Sequence, residues 1–376
     1  MKVAMPRSNP DVGGFSAEVE IVDELGDSRT DRSVGGRGQP DQVTVVFTAT
    51  AMSQPGIWSP ALGGPALAPM SADGPRRWRL ELSLPADANA SWAAVPDVRR
   101  ARFSLAQRVR AAASYRARVE LGMILDGQLQ VEAPQIPSLY RLIGSDPHVA
   151  LSPNIALIPT PRSRQLPYEN LCAPVLEPER ATACGRWLTT VRDAPETPAR
   201  QVVLLDGEVL IRVDEQLAET GWGRIYLHNA DAVSRMREHA RPLAAARGMA
   251  LDCVAPACGI PLVVGTSATA PTALALALRL GADRAVLLSP AFPSDRARRA
   301  LVQQAAKVGI HVDVRAGSLE RGGGDPRRNT RDRSRDLAGD VERAGGSATF
   351  TEFSGGHDLA AWWPTLLDAL HADRPL

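Results

Sequence analysis

Short apolar strands alternate with longer helical segments from about residue 169 to residue 376, and this alternation constrains the fold more than any other feature. Near-continuous apolar runs such as 202–205 are typical of strands that are buried on both faces. Strands separated by helices indicate a mostly parallel sheet with helices on both sides, so we predict a doubly wound α/β domain here. The predicted strands are at 186–191, 202–205, 225–228, 262–264, 285–288, 311–314 and 348–353, and the predicted helices are at 209–219, 233–247, 295–308, 331–344 and directly after residue 267.

The first 40 residues have a different composition, rich in Gly, Asp, Arg and Ser. Such a composition cannot bury enough apolar surface to fold, so it predicts a mobile tail over 1–40. At most a short ordered piece is expected near 17–22. No apolar segment typical of a secretory signal occurs in this region, and no run long enough to cross a membrane occurs elsewhere. A cytoplasmic location is therefore expected.

Residues 41–140 show strand patterns without the intervening helices. A strand is predicted at 42–50, strict alternation of polar and apolar residues predicts a half-buried strand at 78–84, and a hairpin is predicted at 117–131. These features indicate a small antiparallel β-domain. Prolines and short polar pieces over 141–168 then indicate a linker or a segment that wraps over the surface.

The balance of charge excludes several kinds of partner. The chain carries 43 basic and 42 acidic residues, for a net charge of +1. This gives no reason to expect binding to nucleic acid or to a membrane surface. The four cysteines, Cys172, Cys184, Cys253 and Cys258, are expected to be free thiols rather than zinc ligands, since Cys253 and Cys258 have no second pair nearby. The composition does not indicate an oligomeric state.

A serine stands at the most conspicuous junction in the chain. The apolar run 262–264 ends abruptly at Gly265-Thr266-Ser267, and a helical segment follows at once. A strand, a sharp turn and a helix in this order expose a nucleophilic serine in α/β-hydrolases, in the pattern G-x-S-x-G. Thr269 replaces the last glycine of that pattern, and its branched side chain is expected to distort or repack the turn. The alternative is that Ser267 merely caps the helix.

A serine nucleophile needs a histidine base and a carboxylate that orients the base. His357 lies in the glycine-flanked stretch Gly355-Gly356-His357, after a predicted strand, and the order of Ser before His is that of the hydrolases. The acid is expected between them, after the strand 311–314. Glu320 is the first candidate, and Asp325 and Asp313 are the alternatives. The arginine-rich run 321–335 is either a solvated surface or a site for an anionic substrate.

Several motifs together resemble the enterochelin (enterobactin) esterases, which are two-domain α/β-hydrolases that open cyclic tri-ester siderophores in the cytoplasm. In chain order the matching stretches are Leu204-Leu205-Asp206-Gly207-Glu208, Asp231 with Arg235 and Glu238, Gly265-Thr266-Ser267, Ala316-Gly317 with Glu320, and Gly355-Gly356-His357-Asp358 with Trp362. Trp58, Met70, Trp78 and Leu84-Pro85-Ala86 match the β-sandwich of the family. Leu210 and Thr269 depart from its motifs.

The resemblance implies an N-terminal β-sandwich followed by an α/β-hydrolase domain. It implies a serine esterase acting on an ester or lactone of a siderophore, ferric siderophores included, or of another peptide-like natural product. Ser267, His357 and Glu320 would be catalytic, and no metal or organic cofactor is required. The amides of Ala268 and of Gly207 or Glu208 would hold the oxyanion, and Arg235 and Asp231 would bind substrate. One alternative is an acyltransferase or cyclase. The other is a non-catalytic binding protein in which the turn that carries Ser267, called the elbow below, has lost its activity.

Overall fold

The computed structural model describes residues 2–4, 16–22, 42–59, 62, 67–95, 156–157, 160–164, 182–184, 187–192, 200–228, 239–249, 254, 262–321, 329–357 and 359–372. The predicted hairpin at 117–131 and Cys172, Cys253 and Cys258 lie outside these ranges. No helix in the described ranges is both long enough and apolar enough to cross a bilayer.

Two antiparallel sheets form the N-terminal domain. The described strands of the first sheet are, in sheet order, β1 (Lys2–Ala4), β2 (Ser16–Val22), β3 (Gln42–Thr50), β7 (Arg77–Pro85) and β6 (Ser71–Ala72). Those of the second sheet are β5 (Leu67–Pro69), β4 (Gly56–Trp58), β8 (Ser91–Val95) and β9 (Ala156–Leu157). Their facing side chains share one core, in which the rings of Phe47 and Trp92 meet edge to face with centroids 5.1 Å apart.

Part of the predicted tail belongs to this sandwich. Ala17, Val19 and Ile21 of β2 are buried on the core side. Glu18 and Glu20, which alternate with them, are exposed and half-buried, and this is the alternation that a half-buried strand requires. The whole of β2 pairs with β3, and β1 pairs with β2. Strand β9 lies in the stretch predicted as a linker and pairs with β8. The sequence analysis missed β1 and β9 because strands of two or three residues show no periodicity.

The C-terminal domain is built on a larger sheet. Its described strands are, in sheet order, β10 (Thr182–Cys184), β11 (Trp187–Arg192), β13 (Gly223–His228), β12 (Gln201–Leu205), β14 (Leu262–Thr266), β15 (Arg284–Leu288), β16 (His311–Gly317) and β17 (Ser347–Phe353). The pairs from β13 to β17 are parallel, and β10 and β11 pair antiparallel at one edge.

Helices cover both faces of this sheet. They are α1 (Gly207–Leu210), α2 (Asp214–Ala218), α3 (Pro242–Arg247), α4 (Ala270–Leu280), α5 (Asp295–Val308), α6 (Thr330–Arg343) and α7 (Leu359–His371). Alternate residues of β12 enter two separate cores: Val203 belongs to the core that α4, α5 and α6 also enter, whereas Val202 and Leu204 belong to the core that α7 enters. The mostly parallel, doubly wound sheet with an antiparallel β-sandwich before it confirms the predicted α/β-hydrolase class.

Two predicted helices are wrong in detail. The helix predicted at 233–247 is interrupted at Arg241, directly before α3. The segment predicted as a helix at 209–219 is α1, a 3-10 turn at Ile211–Val213, and α2. The break occurs where the Asp214 carboxylate is tied to the sheet, since it accepts hydrogen bonds from Arg224 Nε at 2.6 Å and from the Tyr226 hydroxyl at 2.7 Å. By contrast, α5 spans the predicted residues, because Ser294 caps its first turn and Gly309 ends it at φ 82°.

A buried ion cluster stabilises the sheet below the site. Asp313 on β16 is almost fully buried, pairs with Arg284, and accepts a hydrogen bond of 2.8 Å from Arg315 Nη2. Arg315 is held in turn by the Thr365 carbonyl at 2.9 Å from its Nη1. Burial by itself would raise the pKa of the Asp313 carboxyl, but the two guanidinium groups outweigh it and hold that pKa below its ordinary value of 3.8.

Replacing Asp313 by Asn should lower the free energy of unfolding by about 3 kcal/mol at neutral pH, because two buried cations lose their counter-charge. The folded pKa is depressed, so this stabilisation is complete above the unfolded pKa and is lost as the pH falls through the folded one. Urea unfolding of both proteins should therefore show a difference that shrinks below about pH 4. A difference of constant size down to about pH 2 would contradict this account.

Candidate active site

Ser267 lies on a sharp turn between β14 and α4. Its φ of 46° puts a non-glycine residue in the left-handed region, a strained conformation that is typical of functional turns. The turn is tightly packed: a Cβ added at Gly265 would lie 2.5 Å from the Ala273 Cβ and 2.8 Å from the Ala270 Cα. Small residues at these positions therefore allow the helix to begin directly behind the serine.

Thr269 is accommodated in this turn by hydrogen bonds, which is the repacking that the sequence-based expectation gave as one of its two outcomes. Its side chain is buried, and its Oγ1 lies 3.0 Å from Asp206 Oδ2 and 2.9 Å from the Thr266 carbonyl oxygen. The hydroxyl has one proton and can donate it to either of these two oxygens. The same Oγ1 accepts the Thr266 amide proton at 3.1 Å, and Thr266 Oγ1 donates to Asp206 Oδ2 at 2.5 Å. The branched side chain fits because a buried carboxylate from the neighbouring strand end meets its hydroxyl.

Ser267, His357 and Glu320 form one hydrogen-bonded chain. Glu320 Oε2 accepts a 2.7 Å hydrogen bond from His357 Nδ1, which therefore carries the proton. The other ring nitrogen, Nε2, then accepts from Ser267 Oγ at 2.9 Å. The Glu320 side chain is 3% exposed, whereas that of His357 is 37% exposed. The histidine can thus be reached from outside while the carboxylate is shielded from water.

The carboxylate of Glu320 is fixed at both oxygens. While Oε2 bonds His357, Oε1 accepts hydrogen bonds from the Gly317 amide at 2.8 Å and from Ser289 Oγ at 2.5 Å. Asp313, an alternative acid in the sequence analysis, is instead engaged in the ion cluster described above. Asp325, the other alternative, lies outside the described residues.

Backbone contacts hold the loops of the acid and the histidine together. The amide of Ser318 donates to the Phe353 carbonyl at 2.8 Å, and the amide of Leu319 donates to the Gly355 carbonyl at 3.0 Å. The N-terminal domain contributes as well, because the Asn89 amide donates to the Ser354 carbonyl at 2.9 Å. The sandwich therefore supports the loop that carries the histidine.

Three backbone amides were predicted to face the oxyanion. Gly207 and Glu208 open α1 directly after Asp206, a buried residue in the left-handed conformation with φ 57°. The next two amides of this turn donate to the Asp206 carbonyl, whereas the first amides of a helix have no carbonyl partner four residues earlier. Ala268 follows the serine in the elbow and is also nearly buried. The role of these amides stays a prediction.

Gly207 also has a packing requirement. A Cβ there would lie 2.9 Å from both the Leu227 carbonyl oxygen and His228 Nδ1. His228 is fully buried and shares a 3.0 Å hydrogen bond with Thr190 through Nε2. Burial, followed by the charge of Arg192, lowers its pKa to about 4. His228 is therefore neutral near physiological pH and acts as a packing residue behind this loop.

The predicted substrate-binding residues Arg235 and Asp231 lie outside the described part of the chain, and their role stays a prediction. The described part of the arginine-rich run forms ion pairs on α6: Arg331 and Arg335 contact Asp332 and Glu352. This fits the solvated surface better than the anion site. Within the described ranges, no group of three or more His, Cys, Asp or Glu side chains is placed to hold a metal ion.

Sequence reasoning missed three residues that contact the site. Asp206 lies inside the stretch 204–208, which was singled out only because it resembles a family motif. Ser289 directly follows a predicted strand, and a polar residue at the carboxyl end of a parallel strand is a usable signal of a site. His239 Nδ1 lies 3.2 Å from the carbonyl oxygen of Ala268, next to the elbow. No pattern in the sequence separates His239 from an ordinary helical histidine.

Comparison with known proteins gives similarity in structure but not in sequence. No protein-family model and no curated protein matches the sequence. The ferric enterobactin esterase of Salmonella typhimurium is 14% identical, with 89% of this chain and 94% of that chain covered at a TM-score of 0.57. The enterobactin esterase of Shigella flexneri, solved in the presence of 2,3-dihydroxy-N-benzoyl-serine, is 14% identical, with 90% and 94% covered and a TM-score of 0.54. This chain therefore has the two-domain fold of the enterobactin esterases, a β-sandwich followed by an α/β-hydrolase domain.

Proposed function

We propose that this protein is a serine hydrolase that cleaves a carboxylic ester or lactone through an acyl-enzyme, and that it is a divergent member of the enterobactin esterase family. The observation that carries the proposal is the continuous hydrogen-bonded chain from Ser267 Oγ through His357 to Glu320. The strained elbow that presents the serine adds support. A non-catalytic binding protein would have no need to keep these distances.

In the proposed reaction, Ser267 Oγ attacks the ester carbonyl while His357 Nε2 takes its proton. The oxyanion that forms is held by the amides of Ala268 and of Gly207 or Glu208. His357 then gives the proton to the leaving alkoxide, which departs as an alcohol and leaves the acyl group on the serine. Water attacks the acyl carbonyl next and loses a proton to His357. The bond from the carbonyl carbon to Ser267 Oγ then breaks, His357 returns the proton to Oγ, and the acid product leaves. Glu320 keeps the ring oriented and stabilises the imidazolium throughout.

The substrate class is proposed from fold and chemistry together. One of the similar Shigella flexneri structures was solved in the presence of enterobactin. We extend this to a siderophore-like or other peptide-like ester or lactone for the present chain, with ferric siderophores included as substrates. The proposed chemistry needs no metal or organic cofactor, because the serine, the histidine and the carboxylate supply the nucleophile and the proton transfers.

A fluorophosphonate probe tests the activated serine directly. Wild-type protein should gain one probe mass, on the peptide that contains Ser267, and the Ser267→Ala and His357→Ala variants should not be labelled. His311, which lies on the partly exposed start of β16 and contacts Ser347 and Thr349, provides the control: His311→Ala should be labelled like wild type.

Absence of labelling in folded wild-type protein, or labelling that persists in Ser267→Ala, would contradict the proposal. If labelling succeeds, adding hydroxylamine or an alcohol during turnover of a 4-nitrophenyl ester separates hydrolysis from acyl transfer. A hydrolase should still yield mainly the free acid, whereas an acyltransferase should yield mainly the adduct.

A further inference from the structure

Ser289 is a buried hydroxyl that the proposed mechanism does not use. It follows β15 with φ 49°, so a second non-glycine residue beside the site is held in the left-handed region. Its amide donates to the Arg315 carbonyl at 2.6 Å, and its side chain is fully buried. A strained backbone and complete burial at the carboxyl end of a central strand indicate that this side chain has a role in the site.

The hydrogen bonds of Ser289 can have only one direction. Indole is a donor only, so Trp362 Nε1 donates to Ser289 Oγ, at 2.9 Å. The hydroxyl proton of Ser289 is then donated to Glu320 Oε1, at 2.5 Å. A carboxylate only accepts, so its other oxygen receives the proton of His357 Nδ1. The direction of every proton, from the indole to Ser267, is therefore determined by the indole, which only donates, and by the carboxylate, which only accepts.

Trp362 contacts this chain at two points. Besides its hydrogen bond to Ser289, its ring meets the ring of His357 edge to face, with centroids 5.1 Å apart and planes at 77°. One side chain on α7 thus limits the tilt of the imidazole and, through Ser289, the orientation of the carboxylate that holds the imidazole.

We propose that Ser289 and Trp362 are positioning residues that extend the triad, holding Glu320 in the orientation that keeps the proton of His357 on Nδ1. The inference rests on the proposed function, since it concerns the same histidine and serine. It predicts that loss of either hydrogen bond slows acylation of Ser267 without weakening substrate binding, because neither side chain bonds the serine itself.

The test compares Ser289→Ala, Trp362→Phe and the double variant by fluorophosphonate labelling rate and by turnover of 4-nitrophenyl butyrate. Ser289→Ala should lower the labelling rate and kcat about 10- to 100-fold with KM unchanged, the size of a lost hydrogen bond to a charged group. Trp362→Phe removes the indole donor and keeps a six-membered aromatic ring at this position. The part of its effect that depends on the hydrogen bond should vanish in the Ser289→Ala background, so the double variant should be faster than the product of the two single effects. Ser289→Gly tolerates the positive φ and should be as slow as Ser289→Ala.

Matched controls lie in the same domain. Trp363 and Ser334 are equally buried, and their Nε1 and Oγ have no hydrogen-bond partner among the described residues. Trp363→Phe and Ser334→Ala should therefore leave both rates near wild type. Rates of Ser289→Ala within about twofold of wild type, or additive effects in the double variant, would overturn the inference while leaving the proposed function standing.

A second readout does not depend on activity. The proton on His357 Nδ1 should give a downfield NMR resonance in wild type and both controls, and this resonance should shift or broaden in Ser289→Ala and Trp362→Phe. If the wild type is not labelled by the probe, the proposed function fails. The resonance alone then tests whether Ser289 and Trp362 keep the proton of His357 on Nδ1. A resonance that is unchanged in Ser289→Ala and Trp362→Phe would overturn the inference.

Discussion

Glu320→Gln should slow fluorophosphonate labelling of Ser267 by about 10⁴-fold while leaving the fold intact, the order of loss seen when the acid of a serine triad becomes an amide. The reason lies in the two donors that already point at one oxygen. Ser289 Oγ and the Gly317 amide both donate to Oε1, so the amide oxygen of Gln must take that place. The NH₂ group then faces His357 Nδ1 and forces the proton onto Nε2, where it blocks acceptance of the serine proton.

The measurement is the second-order rate of probe labelling, followed by mass, with thermal unfolding as the check on folding. Glu342→Gln, an exposed substitution on α6, serves as the control and should be labelled at the wild-type rate. A Glu320→Gln rate within about tenfold of wild type would show that another group orients the histidine.

Gly265→Ala should destabilise the C-terminal domain by about 3 kcal/mol, which corresponds to a fall in Tm of about 6–12 °C for a domain of this size. The added methyl would lie 2.5 Å from the Ala273 Cβ and 2.8 Å from the Ala270 Cα. Neither neighbour has a flexible end that can move aside, so α4 must shift away from β14. The shift would carry Ser267 with it, and labelling should fall as well.

Gly248→Ala is the matched control, because the added methyl would make only ordinary contacts of 3.5 Å and 3.6 Å with backbone oxygens of α3. Calorimetry of the two variants should separate them clearly. Equal Tm values would mean that the elbow has room for a side chain, and the tight packing inferred from its geometry would be wrong.

Local pattern was sufficient for most of the C-terminal domain. The α5 helix has the predicted bounds because a capping serine and a terminal glycine lie within the chain segment itself. The elbow was also visible, since an apolar strand that ends at Gly265-Thr266-Ser267 and a following helix are neighbours in sequence. Chain order and the flanking glycines then favoured His357 as the histidine, and the position near the strand 311–314 favoured three carboxylates as the acid.

Thr269 shows where local pattern failed. Read against the expected glycine, its side chain predicts a crowded or altered turn. The structure accommodates the side chain, because its hydroxyl meets Asp206, which lies 63 residues away in the chain. Thr269 follows β14 and its partner Asp206 follows β12, and only the parallel pairing of these two strands brings the residues together. The sequence pattern around Thr269 does not reveal this partner.

The sequence by itself determined the fold class, the serine on its turn and the order of serine, acid and histidine, because each depends on periodicity or on residues adjacent in the chain. Only the tertiary structure distinguished Glu320 from Asp313. Only it brought Ser289 to the carboxylate across 31 residues and Trp362 to Ser289 across 73 residues. The physical reason is that the hydrogen-bond partners of a buried polar group are set by which strand ends are neighbours, and no local propensity encodes that arrangement.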